Sequence, residues 1–225
     1  MEEKIQCPIC KWKGKKFLDL IGKYGRINSN AQCPICRSYQ RHRLLYFYLK
    51  KILDKNINKD KIKLLHFAPE ECISKFIKSN KNINYISADL NPGKAMRKED
   101  ITSLSFNDNF FDIIICSHVL EHIEDDRQAV REIYRVLKPG GIAIIIVPQD
   151  LKRESTYEND KVNSEEEREK EFWYFEHLRL YGRDFKKRIE KSGLKLKEEF
   201  SSSNLTPEDS RKFGLANSII CCFTK

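Results

Sequence analysis

The sequence predicts an α/β protein with an open, largely parallel sheet, preceded by a small cysteine-rich appendage. Two observations carry this expectation. Phe106–Val147 reads as strand, loop, helix, turn and strand: Phe111–Cys116 is an isoleucine-rich run, Asp125–Leu137 carries Val130, Ile133, Tyr134 and Leu137 at helical spacing, and Ile142–Val147 is a second apolar run. Such a βαβ unit implies parallel strands joined by a right-handed crossover. The second observation is a repeated word, Cys7-Pro8-Ile9-Cys10 and Cys33-Pro34-Ile35-Cys36, with 22 residues between the pairs.

Two Cys-x-x-Cys turns can close a four-thiolate tetrahedron around zinc, with Zn–S distances of ~2.3 Å. The segment has too few apolar residues to fold unaided, which favours a metal. A redox dithiol is the alternative, but it would need only one pair. Four thiolates from Cys7, Cys10, Cys33 and Cys36 leave no open coordination position, so the zinc is expected to be structural. Trp12, Phe17 and Tyr24 lie among lysines and arginines between the pairs. Aromatics among cations suit nucleic acid; they also suit a ribbon that packs its few aromatics inward, and the second reading is preferred.

At 225 residues the chain accommodates one full α/β domain and a small appendage. Its formal charge of +9 is unevenly placed. Residues 1–62 hold 15 Lys/Arg against 5 Asp/Glu, whereas the remainder holds 27 against 28. A basic partner surface would therefore belong to the N-terminal part. No stretch is long and apolar enough to span a membrane, and Met1–Gln6 is too polar for a secretion signal. A cytoplasmic protein is expected, with its eight cysteines as metal ligands or free thiols.

In chain order, Ser38–Leu53 reads as a helix, with Arg41-His42-Arg43 as a positive cluster facing substrate or water. Asn56–Lys61 is a polar break and the expected domain boundary. Ile62–Phe67 is a strand, followed by the turn Ala68-Pro69-Glu70-Glu71 and an amphipathic helix through about Lys78. Pro69 removes a donor and the two glutamates repel phosphate, so this turn argues against a dinucleotide or nucleoside triphosphate. Asn84–Ala88 is the next strand, and Asp89 at its end is placed to accept the two hydroxyls of a ribose. Gln149–Lys170 is charged and irregular, as lids and binding segments are, with a mostly solvated helix expected over Glu165–Glu171. Four aromatics follow at Phe172–Phe175, lining a pocket or packing into the core, with core packing preferred. Asp184–Ser192 reads as a helix, and Leu194–Phe200 and Ser218–Phe223 as strands.

The words FDIIICSHVLEHI and LKPGG, correctly spaced within the central unit, resemble class I S-adenosylmethionine-dependent methyltransferases of the type 11 kind. The resemblance covers roughly residues 62–225 and is strongest over 84–148. It implies a Rossmann-like sheet of seven strands in the order 3-2-1-4-5-7-6, the seventh antiparallel, with S-adenosylmethionine as methyl donor. Together with the cysteine pairs and the polar break, it gives expected domains at 1–37 (zinc ribbon), 38–61 (connecting helix and linker) and 62–225 (methyltransferase, with a lid at about 149–176). Cofactor contacts are expected from Phe67, Ala68, Glu70, Asp89, Leu90, Asp100, Ile101, Ser117 and His118, with Glu70 on the ammonium, Asp100 at the adenine amine and Ile101 over the ring. The pattern departs from the family at the first loop, where His66 stands in place of an acid and Ala68, Glu70 and Cys72 in place of glycines. His118, Glu121, His122 and His177 are candidates for a general base, with His118 best placed at the end of the fourth sheet strand. The preferred acceptor is a small molecule or glycan enclosed by the lid. The alternatives are an RNA held by the basic ribbon and a non-catalytic binding protein.

Overall fold

The computed structural model describes residues 5–54, 61–215 and 219–225. In chain order these form β1 (Ile5–Gln6), β2 (Lys13–Gly14), β3 (Leu18–Ile21), β4 (Ile27–Gln32), α1 (Gln40–Asp54), β5 (Ile62–Phe67), α2 (Glu71–Lys78), β6 (Ile83–Asp89) and β7 (Arg97–Lys98). They continue with β8 (Phe111–Ser117), α3 (Asp126–Val136), β9 (Leu137–Ile146), β10 (Tyr157–Glu158), α4 (Glu165–Phe172) and β11 (Arg179–Leu180). The last elements are α5 (Phe185–Glu190), β12 (Lys195–Ser201), α6 (Pro207–Lys212) and β13 (Ile219–Thr224). Apart from Lys61, the expected boundary at Asn56–Lys61 lies outside the described residues.

Two compact units emerge. The first joins the described residues up to Lys61 with Glu70–Ile83 and Glu199–Ile220; the second comprises Ile62–Pro69, Asn84–Glu198 and Cys221–Lys225. The ribbon is thus one part of a unit that recruits chain from far downstream.

Within the first unit the two cysteine turns are copies of one another. Cys7 N–H donates to the Trp12 carbonyl and Lys11 N–H to the Cys7 carbonyl; Cys33 N–H donates to the Ser38 carbonyl and Arg37 N–H to the Cys33 carbonyl. Lys11 and Arg37 occupy the same left-handed position, at φ 65° and 56°. Phe17 is fully buried beside Cys7 and Cys33, Trp12 packs against this cluster, and Tyr24 is exposed.

The Arg41-His42-Arg43 cluster does not form a solvated face. Arg43 is fully buried. Its guanidinium donates to the carbonyls of Ala31 (3.1 Å), Ser38 (2.8 Å), Phe213 (2.8 Å) and Gly214 (3.0 Å), and stacks 3.8 Å from the centre of the Phe17 ring. One side chain therefore ties the second cysteine turn, α1 and the turn after α6 together. Burial lowers its pKa to about 10, an effect opposed by the neighbouring thiols.

A seven-stranded sheet has the order β12-β13-β9-β8-β5-β6-β7. Numbered within the sheet this is the expected succession 3-2-1-4-5-7-6 read from the opposite edge, with β13 antiparallel to β9. It differs in detail at the third strand, which is only the two-residue β7, parallel to β6 through Ala88↔Arg97 and Asp89↔Lys98. The polar turn Asn91–Met96 joins β6 to β7 where a crossover helix is usual. Ile113–Cys116 and Ala143–Val147 are buried, as strands covered on both faces require.

Two local expectations are corrected. Lys138-Pro139-Gly140-Gly141 lies inside β9 instead of between helix and strand, because Leu137 already has extended backbone and pairs with Phe111. A register shift between Phe111 and Ile113 absorbs the extra residues, and Gly140 takes φ 74°. Within Gln149–Lys170 the expected solvated helix over Glu165–Glu171 is present as α4, which begins with a reciprocal capping box between Ser164 and Glu167, and β10 ahead of it pairs with β11. Asp184 does not cap α5, since its carboxylate accepts from Thr156 N–H and Oγ1 (2.7 and 2.8 Å), so the helix starts at Phe185. Among the described residues no helix is long and apolar enough to cross a membrane.

Candidate functional site

Strands β8, β5, β6 and β7 are neighbours, β5 runs parallel to β8 and β6 parallel to β7, and their C-terminal ends fall along one edge. Hydrogen bonds beyond the ladders hold that edge. Ala68 N–H donates to the Ala88 carbonyl, Glu99 N–H to the Asp89 carbonyl, and His118 N–H to the Ile146 carbonyl, at 2.9, 3.0 and 2.8 Å. Phe67, Ala68, Asp89, Leu90, Asp100, Ile101, Ser117 and His118 all lie at this edge, in the second unit.

Each of these residues arrives there differently. Ala68 has φ 43°, a left-handed conformation that glycine adopts without cost. The backbone thus keeps the shape of a glycine turn although the side chain has changed. Asp89 is half-buried; one carboxylate oxygen accepts Asn91 N–H at 2.8 Å, and the other has no protein hydrogen bond among the described residues. Leu90 is exposed. Asp100 accepts from Thr102 N–H (2.8 Å) and Oγ1 (2.7 Å), and those bonds hold its carboxyl below the usual carboxylate range. Ile101 is buried beside it. His66, where an acid was the common residue, is fully buried with Nδ1 3.2 Å from Tyr85 Oη.

Glu70 belongs to the first unit, where its carboxylate lies 3.1 Å from His42 Nε2. His42 Nδ1 accepts Tyr39 N–H at 3.2 Å, which leaves Nε2 as the ring nitrogen that carries the proton. Cys72 is buried with Sγ 3.8 Å from the same Nδ1, and burial raises its pKa to about 12. Glu70 thus has His42 as a neighbour within its own unit.

The base candidates converge. His118 Nδ1 lies 2.9 Å from Glu121 Oε1, and His177 Nε2 lies 3.8 Å from the same oxygen. The rings of His122 and His177 meet edge to face at 4.9 Å between centroids. Glu121 is fully buried and His177 nearly so, while His118 keeps a quarter of its side chain exposed. His177 Nδ1 bonds the Phe172 carbonyl at 2.7 Å. Burial pushes the His177 pKa down to about 4, against the pull of Glu121. Of the four aromatics before it, Phe172 is core against Tyr157, whereas Tyr174 is exposed beside both imidazoles.

Sequence reasoning missed the support beneath this cluster. His118 itself has φ 54°, and a short 3₁₀ turn over Leu120–His122 aims Glu121 inward. Buried Arg179 donates to the carbonyls of Leu120, Ile123 and Glu124 in that turn and to Glu158. Arg188 forks onto both oxygens of buried Asp126 at 2.7 Å and reaches Glu158 at 2.8 Å. Tyr181 Oη donates to Asp126 at 2.8 Å. The signal was the word Arg179-Leu180-Tyr181 preceding a basic helix, but apart from Glu158 its side-chain hydrogen-bond partners lie 55 or more residues upstream. A cleft of about 520 Å³ opens beside it, lined by residues that include Glu124, Glu158, Arg168, Phe172 and Arg179.

The thiols of Cys7, Cys10, Cys33 and Cys36 come together, with ligand atoms all within 4.8 Å of one another. Cys7 and Cys36 Sγ are 3.5 Å apart, and Cys10 and Cys33 Sγ are 3.6 Å apart. A tetrahedron with ~2.3 Å metal–sulfur bonds has edges of ~3.8 Å, so the donor set fits zinc with little movement. The hydrogen bond from Cys36 lowers the Cys7 pKa to about 4, while the same contact raises that of Cys36. Neighbouring thiolates cannot all ionise unless a cation joins them.

Residues 75–145 match the family model Methyltransf_11, described as a methyltransferase domain. Among curated proteins, the chain is 38% identical over 65 residues to a ubiquinone/menaquinone biosynthesis C-methyltransferase of Pectobacterium atrosepticum, covering 29% of this chain and 22% of that protein. It is 47% identical over 49 residues to a demethylmenaquinone methyltransferase of Bacteroides fragilis, covering 22% and 20%. The match thus spans about a fifth of the length of these relatives. Among solved structures, the 1,6-didemethyltoxoflavin-N1-methyltransferase of Burkholderia thailandensis, with bound 1,6-didemethyltoxoflavin and S-adenosylhomocysteine, superposes with TM-score 0.53 at 14% identity, covering 78% of this chain and 76% of that one. The [4+2]-cyclase SpnF gives TM-score 0.56 at 16% identity, covering 84% and 82%. These likenesses establish a shared Rossmann-like α/β fold. The cyclase shows that the fold alone does not name a reaction.

Proposed function

We propose that the chain is an S-adenosylmethionine-dependent methyltransferase acting on a small molecule or glycan, with a structural zinc in its N-terminal ribbon. The observation that carries this reading is Asp89: a carboxylate at the C-terminal end of β6 with one oxygen uncommitted, inside the segment that matches the methyltransferase domain. When bound, the cofactor supplies an already activated methyl group on a sulfonium. Asp89 accepts the ribose hydroxyls, Asp100 the adenine amine, and Ile101 covers the ring. Phe67, Ala68, Leu90 and Ser117 shape the remaining wall.

The chain's task is then alignment and removal of a proton. His118 is the proposed base: its Nδ1 lies 2.9 Å from Glu121 Oε1, which leaves Nε2 as the acceptor, and a quarter of its side chain is exposed at the fourth-strand end. Asp89 and Asp100 would hold the donor in place while the acceptor's oxygen, nitrogen or carbon is brought to its methyl group. An acceptor proton passes to His118 where one must leave. His122 and His177 line the same cluster behind it.

Support for a small acceptor comes from the relatives, named for quinone biosynthesis, and from the aromatics at Phe172–Phe175 beside the histidine cluster. The four-cysteine geometry supports zinc. The test is transfer of a labelled methyl group from the cofactor into a cell extract separated into small-molecule, glycan and RNA fractions. Label in either of the first two supports the reading, label in RNA transfers the function to nucleic acid, and no label in any fraction favours a binding protein.

A further inference from the structure

The cluster behind His118 has a feature that methyl transfer does not require. Glu121, His122 and His177 each present one ligand atom, and the three atoms lie within 4.8 Å of one another. Two of the residues come from the turn after β8 and the third from a segment more than fifty positions downstream. We propose that they form a second metal site, for a divalent first-row transition ion of the zinc class.

The donors are oriented as metal ligands usually are. His177 Nδ1 is held by the Phe172 carbonyl at 2.7 Å, which leaves Nε2, the nitrogen that faces Glu121, to coordinate. His122 Nδ1 lies 3.3 Å from the Glu176 carbonyl, which leaves its Nε2 for the ion. His118 Nδ1, 2.9 Å from Glu121, steadies the carboxylate from outside the triad. The turn itself is fixed by three carbonyl bonds from Arg179 and by Leu178 N–H on the Glu121 carbonyl at 2.9 Å. Ligand atoms around a tetrahedral ion with bonds of ~2.0–2.2 Å stand ~3.3–3.6 Å apart. The 3.8 Å separation of Glu121 Oε1 and His177 Nε2 closes to that value with a shift of a few tenths of an ångström. Two imidazoles and one carboxylate favour zinc, iron, cobalt or nickel over magnesium or calcium, which prefer oxygen donors alone. Three protein ligands leave at least one position open, unlike the closed site at the four cysteines.

Metal content tests this without any acceptor or cofactor, so it can fail while the methyltransferase reading stands, and the reverse. The full chain and its His122→Ala and Glu121→Gln variants are dialysed against zinc, washed, and analysed for bound metal, with far-UV circular dichroism as the check on folding. The wild type should hold about one more zinc per chain than either variant, whatever the cysteines retain. Cobalt in its place should give weak visible bands, without thiolate charge transfer, that vanish in His122→Ala. His118→Ala keeps the ligands and should weaken binding by about 10–100-fold, as loss of an outer-shell partner does. Equal metal content in wild type and folded His122→Ala would overturn the proposal.

Discussion

Arg43→Met removes a charged group that sequence reasoning placed at the surface and leaves a side chain of similar length. Four carbonyls lose a donor, those of Ala31, Ser38, Phe213 and Gly214; that of Ser38 keeps the bond from Cys33 N–H at 2.9 Å. A buried acceptor left unpaired costs about 1–3 kcal/mol. Loss of the stack on Phe17 adds about 0.5–2 kcal/mol. Against these stands the relief of no longer burying a guanidinium, a cost visible in its lowered pKa of about 10. Removing a buried charged partner nets about 3–5 kcal/mol of destabilisation in comparable settings. Urea unfolding of the zinc-loaded chain, followed by the fluorescence of Trp12 beside Phe17, should read this as a midpoint lowered by about 1–3 M at ordinary urea sensitivities. Arg43→Lys should fall between, since one ammonium cannot serve four divergent carbonyls. A midpoint for Arg43→Met within about 0.3 M of the wild type would refute the claim that this side chain organises the first unit.

Three further outcomes follow from the same geometry. Ala68→Gly relieves the left-handed backbone at φ 43° and should stabilise the chain by roughly 0.5–1 kcal/mol in thermal or urea unfolding. Cys33→Ser should release the ribbon zinc, read by elemental analysis, and expose Trp12 fluorescence to quenchers; a metal-free protein with native Trp12 fluorescence would contradict the zinc assignment. Glu158 pays for partial burial but is held below the usual carboxylate range by the Arg179 and Arg188 guanidiniums. Its folded pKa lies below the unfolded one, so it contributes stability above the ordinary glutamate range and loses it as pH falls through the folded value. Glu158→Gln should therefore lower the midpoint at pH 7 and converge with wild type in acid.

What the sequence revealed and what it hid divide along one line. Ile62–Phe67 was legible to the residue and the helix after it to about one residue, because an apolar run and a period-3.6 pattern there are complete within a few positions. The four cysteines were legible because thiolates at that spacing have few other uses. Arg43 was not: an arginine in a basic cluster reads as solvated, and two of its four acceptors lie 170 and 171 positions downstream. For the same reason the first unit's use of Glu199–Ile220 was invisible, and the boundary after residue 61 came out too simple. The histidines could be named individually, yet their meeting at Glu121 depended on a 3₁₀ turn and on Arg179, neither of which has a periodic signature. Lys138–Gly141 misled because proline and glycine mark turns and also mark irregular positions inside a strand.

The central claim is that the β6 end holds S-adenosylmethionine through Asp89. Isothermal titration of the purified chain with S-adenosylmethionine, S-adenosylhomocysteine and NAD, repeated on Asp89→Ala, tests it directly. The account predicts saturable binding of the first two and not of NAD, weakened by about 1–3 kcal/mol, or roughly 5–150-fold, in Asp89→Ala. Absence of binding by the folded wild type, or affinity unchanged in Asp89→Ala, would contradict it.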